Sequence, residues 1–289
     1  MRMVDVPGQG RPCRPFACSV AAARFQPVDE CLQPFDERMK VLPGILPANT
    51  SVMADLLCTT DLTAASTVAI QHAMALGDRL GARVSLLHVV GKEERRSVDE
   101  VRKSIEQTVD ALGGSPVRLL MPEGDFMEEI VAESARGHRL LVMGTHGAHG
   151  LRQKLFGADI LKLVRQSATP CFVVQEGSPV DQELCRMVLP VAGHQDIGRL
   201  LDAVCLLARA CAAEVHVFQL MRPGEAPSDA LLANKVRMFE RLEEEGIRHV
   251  EANEPMTAFS MGFAKATIDY ARRIGAGCIA IMAHASDEY

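Results

Sequence analysis

The sequence lacks the features that mark several common classes of protein. No apolar run approaches the roughly 18 residues that a membrane span needs, so no transmembrane helix is predicted. The net charge of −6 gives no basic excess that would favour a nucleic-acid backbone or an anionic membrane surface. We therefore expect neither nucleic acid nor a membrane among the partners of this chain.

The cysteines also lack the spacing that marks bonded or metal-binding thiols. Nine cysteines are scattered along the chain, with no Cys-x-x-Cys pair and no Cys and His at zinc spacing. An odd number without such spacing indicates neither a disulfide framework nor a metal site. Reduced thiols are the simplest account, and they predict a cytoplasmic location.

The first part of the chain lacks any clear hydrophobic periodicity. It is rich in proline, and it precedes the first segment with a strand-like pattern. Such a segment does not offer a regular apolar face that could be buried. We therefore expect residues 1–48 to form a disordered extension.

From residue 51 onwards, strand-like and helix-like patterns alternate. Apolar, β-branched runs predict strands, and apolar residues at helical spacing predict helices. Strands that are separated by helix-length segments imply right-handed βαβ units and a parallel sheet covered on both faces. The predicted strands are 52–58, 83–90, 117–121, 140–143 and 170–175, and the predicted helices are 64–80, 98–112, 127–136 and 158–166.

The same pattern restarts after Gly177-Ser178-Pro179, which indicates an internal duplication with a period of roughly 130 residues. The second copy has no glycine-rich loop, no fifth helix and no fifth strand after its fourth strand. Its predicted strands are 187–191, 214–220, 249–252 and 278–282, and its predicted helices are 197–211, 230–245 and 259–274.

The most informative motif is the glycine-rich segment 144–157, which follows the strand 140–143. Within it, Gly144, Gly147 and Gly157 are separated by two and by nine residues. Glycine lets a backbone approach a ligand closely, and a helix start supplies free N–H groups. The spacing is neither GxGxxG nor a P-loop, since no Gly-Lys-Ser/Thr follows. It predicts a phosphate-binding loop at the carboxyl edge of the sheet.

This spacing resembles the nucleotide-binding signature of the universal stress protein family. The first strand end, Leu57-Cys58-Thr59-Thr60-Asp61, the second, Leu86-Leu87-His88-Val89-Val90, and the closing segment 167–174 resemble that family too. The resemblance implies an α/β fold of two tandem Rossmann-like domains, each with strand order 3-2-1-4-5. Domain 1 would span residues 49–177, and domain 2, over 183–289, would be degenerate and lack its last strand and helix.

The resemblance also implies that domain 1 binds an adenine nucleotide, ATP or AMP, with or without Mg²⁺. Asp61, beside Thr60, would accept hydrogen bonds from adenosine, although an Asp here could equally be the N-cap of the helix 64–80. The backbone of Val89 would meet the adenine edge. The other implied contacts are Met143 and Gly144 with the ribose, and Gly147 and Gly157 with the phosphates. His146 matches a further family position, and Ala158 stands where the family has Ser or Thr.

Three functions remain open at this point. The first is a nucleotide-binding sensor or regulator of the stress response, the second a slow ATP hydrolase, and the third a scaffold that binds no nucleotide. No catalytic residue stands out. Domain 2 is expected to bind no nucleotide, because Ala192 stands in the place of Asp61 and no glycine loop follows its fourth strand. In the family, fifth strands pair across a dimer interface, so we expect either a homodimer through residues 170–175 or a chain that is truncated relative to a longer natural protein.

Overall fold

The structure is a computed structural model that describes residues 18–22, 55–92, 94–113, 115–145, 157–178, 184–256 and 262–284. Within these ranges, no helix is both long and apolar enough to cross a membrane. The strands are β1 (Cys18–Ala22), β2 (Leu56–Thr59), β3 (Val84–Leu87), β4 (Val117–Leu120), β5 (Leu140–Thr145), β6 (Cys171–Gln175), β7 (Arg186–Pro190), β8 (Glu214–Met221), β9 (His249–Pro255) and β10 (Cys278–Met282). The helices are α1 (Ala64–Leu80), α2 (Val98–Leu112), α3 (Phe126–Ser134), α4 (Gly157–Gln166), α5 (Gly198–Ala210), α6 (Asp229–Glu244) and α7 (Gly262–Ile274).

The first half of the molecule is a parallel sheet of strand order β4-β3-β2-β5-β6. This is the order 3-2-1-4-5, so the α/β fold and the topology predicted for this half are confirmed. Capping residues close in the sequence fix where α1 and α2 begin. Thr63 and Ser66 form a reciprocal capping box at α1, and Ser97 and Glu100 form another at α2.

In the second half the strands lie in the order β9-β8-β7-β10, which is 3-2-1-4, and they are also parallel. Matching the strand pairs of the two halves makes Leu56 equivalent to Met187 and Leu140 equivalent to Cys278. The strands and helices predicted for this half are present, and the half provides four parallel strands, β7 to β10.

The two halves join into one sheet through β1, which lies between β6 and β10. It pairs antiparallel with β6 and parallel with β10. The prediction of a disordered extension over residues 1–48 is therefore wrong for Cys18–Ala22, and its other residues lie outside the described ones. A five-residue strand carries too little periodicity to be recognised when its partners are more than 100 residues away in the sequence.

The same strand changes two further predictions. Strand β6 has β5 on one side and β1 on the other, so residues 171–173 do not form the open edge on which the predicted homodimer depends. The place of the fifth strand in the second half is likewise not empty, since β1 lies beside β10 there.

Helices cover both faces of the sheet, as the alternation of strands and helices predicts. On one face, α1, α2, α5 and α6 pack over a single core that runs through both halves. On the other face, α3 and α4 cover one core in the first half, and α7 covers a separate one in the second. Successive residues of a strand point to opposite faces of the sheet. Leu56 and Cys58 therefore lie in the core under α1, and Leu57 lies in the core under α3 and α4.

Candidate functional site

A cleft of about 930 Å³ opens in the first half, at the carboxyl ends of β2 and β3 and beside the end of β5. This is where the strand order reverses, and ligands of open parallel sheets bind at such a point. Its volume lies within the range that small-molecule sites occupy, which is roughly 300–1,000 Å³. The lining residues are Thr59, Thr60, Asp61, Thr63, Ser66, Leu87, His88, Val89, Gly91, Lys92, Glu94, Arg96, Gly124, Asp125, Phe126, Glu128, Ile130 and Gly144.

Asp61 lies at the mouth of this cleft, directly before α1. Its Oδ1 accepts hydrogen bonds from the Thr63 backbone N–H, at 3.1 Å, and from the Thr63 hydroxyl. The N-cap of α1 is Thr63 itself, so the alternative that Asp61 caps this helix is wrong. Within the described residues Oδ2 carries no hydrogen bond, and the side chain is exposed, so one carboxylate oxygen is available to a ligand.

His88 contributes an acceptor that the protein does not use. The ring is 5% exposed, and its Nδ1 lies 2.9 Å from the Thr60 carbonyl oxygen. A carbonyl can only accept, so Nδ1 carries a proton, and in the neutral ring Nε2 then has the lone pair. Nε2 is buried and has no hydrogen-bond partner among the described residues. A buried polar atom without a partner is costly, and beside a cleft it indicates a group that a ligand could satisfy.

Gly144 lies where β5 passes the first turn of α1. A Cβ at this position would meet the Ala65 carbonyl oxygen at 2.3 Å and the Ser66 backbone nitrogen at 2.8 Å. No side chain fits at such distances, so glycine is required here for packing. This requirement holds whether or not a ligand binds, and it gives the first glycine of the motif a role in the fold.

The outer rim of the cleft is charged. The Arg96 guanidinium binds both carboxylate oxygens of Glu94, at 3.0 and 2.9 Å, and this contact lowers the pKa of Glu94 to about 2. Asp125 caps α3 by accepting from the backbone N–H groups of Met127 and Glu128. Lys92 lies on the same rim. The cleft thus combines an apolar floor with charges of both signs at its mouth.

The structure brings four of the nine predicted site residues together, namely Thr60, Asp61, Val89 and Gly144, and all of them line the cleft. The side chain of Met143 does not line it, because it is fully buried in the core under α3 and α4. Gly157 and Ala158 form the first turn of α4. The predictions for His146 and Gly147 fall outside the described residues.

The sequence did not predict most of the cleft residues that follow β3 and β4. In the sequence, His88 is one residue of a strand end, and Glu94, Arg96 and Asp125 belong to no predicted site. The position of Asp125 after β4 was one available signal. The carboxyl ends of parallel strands lie at the same edge of a sheet, so a residue after β4 is expected near the cleft. The loop residues 91–96 carried no comparable signal.

The equivalent position of the second half is filled by side chains of α6. Asn234, which is 2% exposed, donates to the carbonyl oxygens of Ala192 at 2.8 Å and His194 at 2.7 Å. Lys235 donates to the side chains of Gln219 at 2.7 Å and Asn253 at 2.9 Å, and it also pairs with Glu251. The strand registers of the two halves make Gln219 the equivalent of His88 and Ala192 the equivalent of Asp61. The Gln219 side chain and the carbonyls of Ala192 and His194 are therefore satisfied from within the protein.

The described part of the chain contains no group of three or more His, Cys, Asp or Glu side chains that could hold a metal ion. None of the six cysteines whose side chains are described forms a disulfide: Cys58, Cys171, Cys185, Cys205, Cys211 and Cys278. Burial raises the pKa of Cys58 and raises that of Cys171 to about 12, so neither thiol is a nucleophile at neutral pH.

Residues 53–175 match the Universal stress protein family. This range holds β2 to β6 and the cleft, so the family match and the first half of the fold coincide. The match covers less than half of the chain, and it does not extend into the second half. No curated protein matches the chain.

Solved structures of universal stress proteins share the fold. A universal stress protein from Archaeoglobus fulgidus DSM 4304 is 20% identical, with a TM-score of 0.58 over 79% of this chain and 86% of its own. A protein of Pseudomonas aeruginosa UCBPP-PA14 assigned to the same family is 17% identical, with a TM-score of 0.51 over 82% and 85%. A third, solved in complex with cAMP, is 16% identical, with a TM-score of 0.34 over 42% and 96%.

Proposed function

We propose that the first half binds one adenine nucleotide, ATP or AMP, and that the protein acts as a sensor or regulator of the stress response. The observation that carries this proposal is the cleft with unused acceptors at its wall. Asp61 offers Oδ2, and His88 offers Nε2. Hydroxyl and amino groups of a nucleoside are donors, so they match acceptors of this kind.

The phosphates would extend towards the start of α4, because the first backbone N–H groups of an α-helix have no acceptor within the helix itself. Gly157 and Ala158 lie in this first turn. Lys92 at the rim adds a positive charge, although Glu94, Asp125 and Glu128 line the same cleft. We assign these acidic side chains to the nucleoside end of the ligand, because a polyphosphate beside three carboxylates would be repelled.

A scaffold without nucleotide and a slow ATP hydrolase are the alternatives. The unsatisfied Nε2 of His88 favours a ligand over an empty scaffold, since an unused buried acceptor destabilises the protein by about 1–3 kcal/mol. A hydrolase is less well supported, because the described residues provide no metal cluster beside the cleft. The proposal includes the cytoplasmic location that the cysteine pattern of the sequence predicts.

Two measurements test the proposal. Protein purified without added nucleotide is denatured, and the released ligand is identified by mass spectrometry. Isothermal titration of ligand-free protein with ATP and with AMP is expected to give one site per chain. No heat with either nucleotide would favour the scaffold, and two equivalent sites would contradict the assignment to the first half.

A further inference from the structure

The position of β1 follows the symmetry of the two halves. In the first half, Val142 of β5 lies opposite Phe172 of β6. In the second half, Ala280 of β10 lies opposite Val20 of β1. Val142 and Ala280 are equivalent positions in the two sheets, so Val20 is the equivalent of Phe172. Strand β1 thus has the direction and register of a fifth strand of the second half.

The contact between β1 and β6 has the same symmetry. Val20 lies opposite its own equivalent, Phe172, and Ser19 and Ala21 lie opposite Val173 and Cys171. An antiparallel pair centred on two equivalent residues is what a two-fold axis between two like strands produces. A strand added to the edge of β6 in an arbitrary register would not be centred in this way.

We propose that the gap between β6 and β10 is a strand-binding site, and that its occupant is the chain's own segment Cys18–Ala22. The second half would then be a complete five-strand unit in which the last strand comes first in the sequence. Without this strand, one edge of β6 and one of β10 would expose unpaired N–H and C=O groups. Main-chain pairing on both edges supplies the binding, as in other cases of strand addition.

The occupant is linked to the rest of the sheet by a long segment of the chain. Residues 23–54 connect it to β2, and β5 and β6 lie between β1 and β2 in the sheet. Helices α4 and α5 pack against β1 from the two faces, so the site is lined by both halves. The proposal does not depend on nucleotide binding, because the cleft lies on the far side of β5 from this gap.

A cleavable form of the full chain tests whether the segment is held by pairing. A protease site is inserted within residues 23–54, and the folded protein is cut and passed through a size-exclusion column. The N-terminal fragment is expected to co-elute with the rest of the chain and to leave it in denaturant. Elution of the fragment as a separate species under native conditions would overturn the proposal.

A single substitution tests the pairing itself. Proline at position 20 removes a backbone N–H in the middle of β1 and cannot be accommodated between two strands. In V20P, amide hydrogens of 171–175 and 278–282 are expected to exchange faster by about tenfold or more, whereas those of β3 and β8 serve as folded references. V20T is the matched control and is expected to leave exchange unchanged. Equal protection of both strands in V20P and V20T would overturn the proposal.

The cut protein also distinguishes the chain's own segment from that of a second copy. An isotope-labelled peptide of residues 14–26 is expected to replace the cut fragment, and the same peptide with proline at position 20 is not. Replacement by both peptides alike would contradict a register-specific site. A concentration-dependent dimer of the uncut chain, in which V20P abolishes dimerisation, would place the strand in a neighbouring molecule and overturn the intramolecular assignment.

Discussion

The two halves of the molecule have the same strand order and differ in what meets the polar groups at the carboxyl edge of the sheet. In the first half, the buried Nε2 of His88 has no partner in the described residues, and a cleft opens beside it. In the second half, Lys235 satisfies Gln219, and Asn234 satisfies the Ala192 carbonyl. The comparison teaches that a shared fold fixes where a site can be, and that the side chains of one helix decide whether it stays open.

The largest expected effect concerns Gly144, where β5 contacts the start of α1. The equivalent residue of the second half is Met282. We expect G144A to lower the free energy of unfolding by about 2–3 kcal/mol, because its Cβ would overlap the backbone of α1. Denaturant unfolding measures this change. Gly91 lines the same cleft with open space around it, so G91A should change stability by less than about 0.5 kcal/mol. Equal stability of the two variants would contradict the packing role.

The next effect concerns the filled position of the second half. N234A removes the hydrogen bonds to the buried carbonyl of Ala192 and the partly buried carbonyl of His194, so we expect the free energy of unfolding to fall by about 2 kcal/mol. Gln107, an exposed amide on α2, provides the control, and Q107A should cost less than about 0.5 kcal/mol. Thermal and denaturant unfolding would compare the two. If N234A were as mild as Q107A, Asn234 would not close this position.

The third prediction separates the proposed contact of Asp61 with the ligand from its hydrogen bonds to Thr63 at the start of α1. D61A removes a carboxylate acceptor, so we expect ATP to bind about 10- to 100-fold more weakly. Asp196 is a matched control in the second half, because its Oδ1 accepts from the Gly198 backbone N–H just as Asp61 accepts from Thr63. D196A should leave affinity unchanged. A similar loss of affinity in both variants would show that helix-end stability, and not ligand contact, is responsible.

The fourth prediction concerns the start of α4. In A158S, the added hydroxyl can donate a hydrogen bond to a phosphate, so we expect ATP to bind about tenfold more tightly, and at most about a hundredfold. Adenosine lacks phosphates and serves as the control ligand, with no expected gain. Titration of both ligands into both proteins measures the difference. An equal gain for adenosine would mean that the hydroxyl does not reach the phosphates.

The smallest effect concerns the ion pair at the rim of the cleft. Arg96 lowers the pKa of Glu94, so the pair stabilises the fold above the ordinary pKa of a glutamate, and this contribution is lost as the pH falls towards about 2. Since Arg96 is partly exposed, E94Q should cost less than about 1 kcal/mol at pH 7. The difference between E94Q and the unaltered chain should shrink below pH 4. A constant difference down to pH 2 would exclude Glu94 as its source.

The sequence predicted the elements well wherever the signal is local. The Thr63–Ser66 and Ser97–Glu100 pairs begin helices by contacts three residues apart, and the helix spans agree with the pattern to within a few residues. The strand order of the first half followed from the resemblance of strand ends and the glycine segment. Site residues that belong to those strand ends, such as Thr60, Asp61 and Val89, were also predicted at the cleft.

What the sequence by itself determined is thus the set of helices and strands and the edge of the sheet at which a site can form, because capping and periodicity are short-range. Tertiary structure decided the rest. Whether Asn234 reaches the Ala192 carbonyl depends on how α6 lies over the sheet, and whether Cys18–Ala22 forms a strand depends on β6 and β10. These contacts join residues far apart in the chain, so no local pattern encodes them, and only the assembled sheet brings their backbone groups together.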